Sequence, residues 1–586
     1  MNDYAPVPQI YILDTGGQYT HLIARKVREL GVYAEVVASD TPAARFAHAK
    51  GLIISGGPSS VYDAGSPQMD ALVLDAGVPI LGICYGQQLM AFTLDGKVSA
   101  GLKGEYGLAH LKIDAPSPLF EGVFDQQQVW MSHRDTVMVP PSGYSVLAHT
   151  DTCAIAAIGN ETLRHYGVQF HPEVVHTVEG QKILRNFVFD LCRCERDWEP
   201  ASRIPVVEQK IRDVAGDRNI FFFVSGGVDS TVAYTLCLRA LGEDRVHGAY
   251  VDTGLMRQDE TEFVRGIFES LGSKHFRVEL AQEIFLGALA GAIEPERKRK
   301  IIGETFVAIQ KQLLESGHYL DGHWILGQGT IYPDTIESGG SDKADLIKTH
   351  HNRVDGIQQL IAENRIVEPL TSFYKDEVRE IGRELGLPPE FLERHPFPGP
   401  GLAIRCLCAD ADEVIEQVGI DWIAPVHSVG VQGDSRSYRP VLIVDHLDHL
   451  QATNAINENA RVNRVIGIVG TNLPMSEMQV IKSAISPERM YRLRQADAVV
   501  RSLSHTFGYD RQVWQFPVVL IPLGGKGLPD SIVLRPIDSV DGMTAQSVSM
   551  PEKLLHDMRD ELLAIPGIAG VFYDLTHKPP GTIEWE

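Results

Sequence analysis

Apolar and polar positions along this chain switch repeatedly between short, wholly apolar runs and stretches with helical period, and the switches lay out its elements. Apolar runs at QIYILD (9–14), YAEVVA (33–38), GLIISGG (51–57) and PILGI (79–83) are separated by a helix-period stretch up to Leu30 and another over 67–76, and PILGI leads straight into CYGQQLM. Runs of this length, apolar on both faces and spaced by helices, predict an open α/β sheet covered on both sides. A further strand is expected over 163–170, ending in His171-Pro172-Glu173. The segment CERDWEPASRI (194–204) then breaks the period and reads as a linker followed by a helix.

A second α/β series follows. FFFV (221–224) empties into Ser225-Gly226-Gly227 and a helix pattern over 228–241. After it come a strand over 246–251 ending in DTGLMR, a helix to Leu271, HFRVEL, a long basic helix over 295–316, and HWILGQGTIYPDTIES. The proline-rich PFPGPG (396–401) marks a boundary. Beyond it a strand, loop, strand, helix, strand order is spelled twice. The first copy is APVHSVGVQGDSRSYRPVLIV with the helix leading to RVIGIVG, and the second is FPVVLIPLGGKGLPDSIVLRPI with the helix leading to GVFYDL. Such ββαβ units can pair with each other or across a dimer. The expected fold is therefore α/β multidomain, with an open sheet over 1–198, a doubly wound parallel sheet over 199–400 and an α+β region with the internal repeat over 401–586.

Composition narrows the function classes. A chain of 586 residues suits three or four domains at about one per ~150 residues. No basic stretch followed by an apolar run opens the sequence, and no long uncharged apolar window occurs, so neither secretion nor membrane spanning is expected and a cytoplasmic location is. Seven cysteines, an odd number, fit a reducing compartment, and the Cys192-x-Cys194 and Cys406-x-Cys408 pairs lack a second pair at zinc spacing and read as packing residues. A net charge of −23 argues against a nucleic-acid surface. The run Glu296 to Lys300 is read as a solvated helix face or part of an anion-binding wall.

Three stretches carry candidate chemistry. Gly82-x-Cys84-x-Gly86 puts a cysteine at a strand-to-helix elbow, exposed to a helix N-terminus that favours thiolate, although a packed turn has the same pattern. His171 and Glu173 at another strand end supply a base and a carboxylate to orient it, or only a turn. In Ser225-Gly-Gly-Val-Asp-Ser230 the glycines let a ligand reach the main chain, helix amides face an anion, and Asp229 suits Mg²⁺ held against phosphate, unless the loop is merely a capped turn. The loop lacks the Lys-Ser/Thr ending of a Walker A loop, so ordinary γ-phosphoryl transfer is not indicated.

GICYGQQLM, IISGGPSSV, VWMSHRD and GVQFHPE resemble the class I glutamine amidotransferases over about 9–194. The resemblance implies that Cys84 attacks the glutamine side-chain amide, His171 relays the proton and Glu173 holds the imidazole. It also implies oxyanion donors at the Gly56-Gly57 turn and the Tyr85 amide, and substrate contacts at Gln88, Ser132 and His133. SGGVDST resembles the ATP pyrophosphatase family, whose members hold the pyrophosphate end of ATP at this loop and transfer AMP to a substrate oxygen. That implies ATP contacts at Ser225, Gly226, Gly227, Val228, Asp229, Ser230 and Thr231, with Mg²⁺ on Asp229. The polar, glycine-rich stretch 336–352 is similar to a lid whose Lys348 reaches the phosphates, or is a plain surface loop. FPGPGLAIR, SVGVQGD, QGTIYPDTIES, IKTHHN and the ending KPPGTIEWE together resemble the glutamine-hydrolysing GMP synthase family from end to end.

That resemblance implies amination of xanthosine monophosphate (XMP) with ATP and glutamine, giving GMP, AMP, pyrophosphate and glutamate. XMP contacts are implied at Arg257, Asp434, Gln515, Lys578, Ile583 and Glu584, with Arg405 a further phosphate candidate. By composition alone the ending would fray. The partners implied are small molecules, with neither nucleic acid nor membrane, and no tightly bound organic cofactor is expected. The second ββαβ unit departs from the short members and leaves monomer and homodimer both open. Rival readings are another glutamine-dependent adenylating ligase of the NAD-synthetase kind, which does not explain KPPGTIEWE, and a non-catalytic nucleotide-sensing scaffold.

Overall fold

The structure, a computed structural model, describes residues 6–337, 355–363, 365–395, 397–432, 435–449, 451–452, 455, 461–539, 545–578 and 580–586. Lys348 and Asp434, and most of the expected lid, lie outside them. The chain divides into two compact units, each described by itself: one holds the described residues of Met1–Lys210, Thr330–Ile347 and Pro369–Ile381, the other those of Ile211–Gly329, Lys348–Glu368 and Gly382–Glu586.

In the first unit the strands β1 (Ile10–Asp14), β2 (Ala34–Ala38), β3 (Gly51–Ile54) and β4 (Ile80–Ile83) alternate with the helices α1 (Thr20–Glu29) and α2 (Tyr85–Thr93). They are followed by β5 (Lys97–Ile113), β6 (Gln126–Val139), β7 (Ser145–His149), β8 (Ala157–Asn160), β9 (His165–Val168) and the helix α3 (Gly180–Arg185). The sheet order is β2-β1-β3-β4-β9-β8-β7-β5-β6, parallel from β2 to β9 and antiparallel beyond. Strand period 2 is visible in the cores. Ile10, Ile12, Ile53 and Leu81 join one apolar cluster, while Tyr11, Leu13, Leu52 and Ile54 join another, as the two faces of one buried sheet require.

Three expectations change here. The helix over 67–76 is only a 3₁₀ turn, Ala71–Asp75, because Asp70 caps it by accepting from the Leu72 amide and Gly77 at φ 73° ends it. The strand expected from Leu163 begins at His165, since Arg164 turns the chain at φ 59°. The linker is pinned down: Trp198 is 4% exposed and its indole N–H donates to Glu377, while Asp197 accepts from the Tyr33 amide.

The helix α4 (Ile204–Ala215) leads to the second unit, where β10 (Asn219–Val224), α5 (Val228–Leu241), β11 (Val246–Asp252), α6 (Glu260–Ser270), β12 (Phe276–Leu280), α7 (Gln282–Ala288), α8 (Pro295–Ser316), β13 (Trp324–Gly327) and β14 (Ile366–Val367) follow in turn. All five strands are parallel in the order β12-β11-β10-β13-β14. The order reverses at β10, so the crevice beyond its carboxyl end is where a doubly wound sheet receives ligands.

The expected repeat is present as topology. The hairpin Asp421–Gln432/Ser435–Val444 is followed by Arg464–Thr471 lying parallel to its second strand. The hairpin Val518–Ile521/Asp530–Leu534 is followed, after the helix Glu552–Leu563, by Ile568–Asp574 in the same relation. Arg464–Thr471 and Ile568–Asp574 pair antiparallel, so the two units join edge to edge within one chain in a seven-stranded sheet completed by Glu416–Val418. Of the segment leading to RVIGIVG, residues 450, 453–454 and 456–460 lie outside the described residues. The helix Pro487–Thr506, which no repeat announced, precedes the second hairpin.

Candidate active sites

The first site is built where a strand turns into a helix so abruptly that two positions, 82 and 86, have no room for a side chain. Cys84 follows the fully buried β4 at φ 53° and ψ −107° and opens α2, so its own backbone carries the elbow. A Cβ on Gly82 would lie 2.6 Å from the Gly86 carbonyl, and one on Gly86 would lie 2.2 Å from the Ile54 carbonyl. Only glycine allows the helix to start this close to β3 and β4. His171 lies beyond β9, its amide held by the Trp130 carbonyl at 3.0 Å. Its Nδ1 is 2.7 Å from Glu173 Oε1, which leaves Nε2 for the cysteine. Burial alone would lower the His171 pKa, but the Glu173 carboxylate and the neighbouring Cys84 outweigh it and raise it to about 10. Glu173 is buried and its Oε2 has no hydrogen-bond partner, so the whole carboxylate charge is spent on the imidazole.

Gly56 borders this pair: a Cβ there would stand 3.0 Å from His171 Cε1 and 3.6 Å from Cys84 Cβ. Gly57 presses on the Thr15 carbonyl, and the Thr15 hydroxyl donates to the Gly56 carbonyl at 2.8 Å, fixing the turn. Tyr85 heads α2, whose N-cap residue Cys84 makes no side-chain cap, so the helix start presents its amides without that competitor. The Ser132 carbonyl lies 3.7 Å from Cys84 Sγ. Gln88 is buried and donates to the Asp135 carbonyl at 2.7 Å and to Gln169 Oε1 at 3.2 Å.

Gln169 was missed by sequence reasoning. It is fully buried and donates to Cys84 Sγ at 3.6 Å. The available signal was its position two residues before His171, on the same side of an extended chain. His133, facing Glu105 in the β5–β6 register, is held by the Asp135 carbonyl on Nδ1 (3.0 Å) and by Glu105 Oε2 on Nε2 (3.2 Å).

In the second unit, the loop after β10 turns at Gly226, with φ 76° and a would-be Cβ 2.9 Å from Val264, so this glycine is required twice over. The Ser225 hydroxyl lies 3.0 Å from that of Ser230 and accepts from the Gly227 amide at 3.2 Å. Val228, Asp229 and Ser230 form the half-buried first turn of α5, and the buried Thr231 hydroxyl has no hydrogen-bond partner. Gly329, beyond β13, closes on this turn, since its Cβ would sit 2.8 Å from Ser230 Cα.

The candidate XMP residues fall into two groups. Arg257 and Arg405 stack on Phe397 at 4.5 and 5.5 Å, and Arg405 clamps Glu584 through two bonds of 2.9 and 2.7 Å. Burial pulls the Arg257 pKa down to about 10 although Asp497, 3.6 Å away, opposes it. Gln515 pairs with Ile537, Ile537 with Ser547, and Ala545 with Lys578, so Gln515 and Lys578 lie at opposite ends of one short ladder, with the segments 537–538 and 545–547 between them. The Gln515 Oε1 is buried without a partner. The Ile583 carbonyl accepts from Arg535 at 2.9 Å.

Two expectations from composition change in this unit, the first overturned and the second altered at one position. The segment 582–586 does not fray: Trp585 is fully buried and donates to Asp574, which also pairs with the fully buried Arg464 and Arg535 at 2.8 and 2.7 Å. The basic run on α8 is not wholly solvated, because Lys298 is fully buried and pairs with Glu586. In the first case a buried carboxylate draws an indole N–H, and in the second a buried ammonium draws a carboxylate, out of a polar-looking stretch.

Three family models match the chain: "Glutamine amidotransferase class-I" over residues 11–191, "NAD synthase" over 202–305 and "GMP synthase C terminal domain" over 503–585. A curated "Probable GMP synthase (glutamine-hydrolysing)" of Leptospira interrogans is 40% identical over 602 residues, covering 99% of each chain. A GMP synthase of Caldicellulosiruptor saccharolyticus is 39% identical, covering 98% of this chain and 99% of its own, and one of Thermosynechococcus vestitus is 38% identical, covering 98% and 96%.

Proposed function

The chain belongs to the glutamine-hydrolysing GMP synthase family, and on that premise we propose that it aminates XMP to GMP with these residues in these roles. Cys84, deprotonated toward His171, attacks the glutamine carboxamide carbon. The oxyanion that forms is received by the Gly57 and Tyr85 amides. His171 Nε2 then gives its proton to the departing ammonia, leaving a glutamyl thioester, and afterwards takes a proton from the water that releases glutamate. Glu173 keeps the ring in the orientation that allows both transfers. Gln88, Ser132 and His133 line the glutamine, with Gln169 holding the sulfur.

In the second unit the loop Ser225 to Thr231, with Lys348, holds the ATP phosphates. The XMP carbonyl oxygen attacks the α-phosphorus, pyrophosphate leaves, and ammonia displaces AMP from the adenylated purine. The start of α5 and the carboxylate of Asp229 in its first turn fit a Mg²⁺–phosphate group, and that ion would neutralise charge on the leaving pyrophosphate. Arg257, Arg405, Asp434, Gln515, Lys578, Ile583 and Glu584 hold XMP, the guanidinium and ammonium groups suiting its phosphate and ring oxygens. The domains run 1–198 for glutaminase, 199–400 for adenylation and 401–586 for XMP binding. No helix among the described residues is long and apolar enough to cross a membrane; a cytoplasmic site of action is part of the same proposal. The in-chain pairing of the two C-terminal strand units supports a monomer over a homodimer.

The observation that carries this reading is the Cys84, His171, Glu173 line in the same chain as a glycine turn that opens a helix at a parallel sheet's switch point. The test supplies XMP and Mg-ATP with ammonium chloride at alkaline pH, then with glutamine, and follows GMP, AMP and pyrophosphate. GMP from both nitrogen sources, matched one to one by AMP, is expected. A folded protein that makes no GMP from ammonia overturns the acceptor assignment.

A further inference from the structure

The glutaminase reading uses His133 but not the two side chains beside it. Glu105 on β5, His133 on β6 and Cys153 between β7 and β8 bring one carboxylate oxygen, one ring nitrogen and one sulfur within 4.8 Å of one another. His133 and Cys153 are buried, and Glu105 is half-buried.

The protons at this cluster do not add up. The Asp135 carbonyl at Nδ1 can only accept, so Nδ1 carries the hydrogen and a neutral ring presents a lone pair at Nε2. That lone pair faces Glu105 Oε2 at 3.2 Å, another acceptor. The remaining oxygen, Oε1, already accepts from the Thr150 and Thr152 hydroxyls. A proton on Nε2 or a cation must lie between the two, and the third vertex is a sulfur. Carboxylate, imidazole and thiol form the donor set of a borderline-soft divalent ion such as Zn²⁺, with a fourth position left open. The outer contacts match as well: a carbonyl on the distal ring nitrogen, threonine hydroxyls on the carboxylate, and the Thr136 hydroxyl 3.3 Å from Cys153 Sγ.

We infer that Glu105, His133 and Cys153 form a binding site for a zinc-like divalent cation, and that occupancy slows glutamine hydrolysis. The link to the nucleophile is short. The Asp135 carbonyl that orients His133 also receives Gln88 Nε2; Gln88 donates to Gln169, and Gln169 to Cys84 Sγ. A cation would draw the His133 ring to itself and away from glutamine, and would stiffen β6 where Ser132 adjoins the sulfur. Binding displaces the Cys153 proton to water and changes no oxidation state. The inhibitory effect rests on the glutaminase reading, whereas the binding does not.

The test uses full-length, metal-free protein titrated with Cd²⁺, read by the thiolate-to-metal ultraviolet band, and with Zn²⁺ against a chromophoric chelator. Cys84→Ala is expected to keep the band. Cys153→Ser and Glu105→Gln are expected to fold, to hydrolyse glutamine as the parent does, and to bind Zn²⁺ more weakly by at least the roughly 10–100-fold that losing even an outer contact costs. Zn²⁺ should lower glutamine-driven but not ammonia-driven turnover in the parent, and Cys153→Ser should resist it. A band lost in Cys84→Ala and kept in Cys153→Ser would place the ion on the nucleophile and overturn the site. No band in any variant would assign the shared position to a proton. Binding as expected without any effect on glutaminase turnover would overturn the inhibitory role alone.

Discussion

Replacing Glu173 by glutamine removes a charge while keeping the side chain's shape. His171 is raised from the ordinary imidazole value of 6.5 to about 10, with burial working against the rise and the Glu173 carboxylate the largest influence for it. At ~1.4 kcal/mol per tenfold, that rise corresponds to about 5 kcal/mol of imidazolium stabilisation. With the charge gone, burial dominates and the ring loses its proton near neutral pH. The glutamine amide can also offer an N–H to Nδ1, which selects the tautomer protonated toward Cys84 and unable to accept its proton. General acid–base catalysis by one group is worth about 10²–10⁴ in rate, and Glu173→Gln should lose most of that in kcat for glutamine hydrolysis, with KM little changed. The assay is glutamate release at saturating XMP and ATP, beside GMP formation from ammonia in the same preparation, which should be retained. A Glu173→Gln enzyme whose glutaminase kcat stays within about fivefold of the parent would refute the assignment of the imidazole's proton to the carboxylate.

The same pair should make the protein's stability depend on pH. Because the His171 pKa is raised in the fold, its contribution is complete below 6.5 and is lost as pH rises through about 10; chemical denaturation across that range should show a decline that Glu173→Gln flattens. Glu586→Gln should cost about 3–5 kcal/mol by leaving Lys298 buried without a counter-charge, whereas Lys298→Met with Glu586→Leu should recover most of that loss in thermal melts. Gly226→Ala should cost about 1–3 kcal/mol of local strain at φ 76° and abolish ATP-dependent turnover, while glutamine hydrolysis measured without nucleotide is retained; unchanged ATP kinetics would contradict the loop's role.

The sequence showed elements wherever local pattern decides them. The helix over 228–241 and the long helix over 295–316 were legible to the residue, because a glycine turn or a Pro at N1 opens each of them. The helix over 67–76 was not, since a capping aspartate and Gly77, just past the end of the turn, override a weak apolar period. At the first site, Cys84, His171 and Glu173 were readable because elbow glycines and a His-Pro-Glu strand end leave marks in one dimension. Glu105 and Cys153 were not, because they matter only through neighbours 28 and 48 positions away in sequence that the sheet brings together, and Gln169 left only the weak mark of its spacing from His171. Trp198 and Lys298 were misjudged for one reason: polar surroundings in sequence do not reveal a buried partner far along the chain.

The edge-to-edge pairing of Arg464–Thr471 with Ile568–Asp574 also bears on how this molecule can change. Two such units on separate chains would fall apart on dilution, and every substitution in one would appear in the other. Tethered in one chain, they meet at an effective concentration fixed by the connecting segment, so the joint holds however scarce the protein is. Each copy is also free to drift alone. Arg464 from the first copy and Arg535 from the second converge on a single Asp574, a lopsided arrangement that a twofold-symmetric pair would have to build twice and that a tandem pair needs only once.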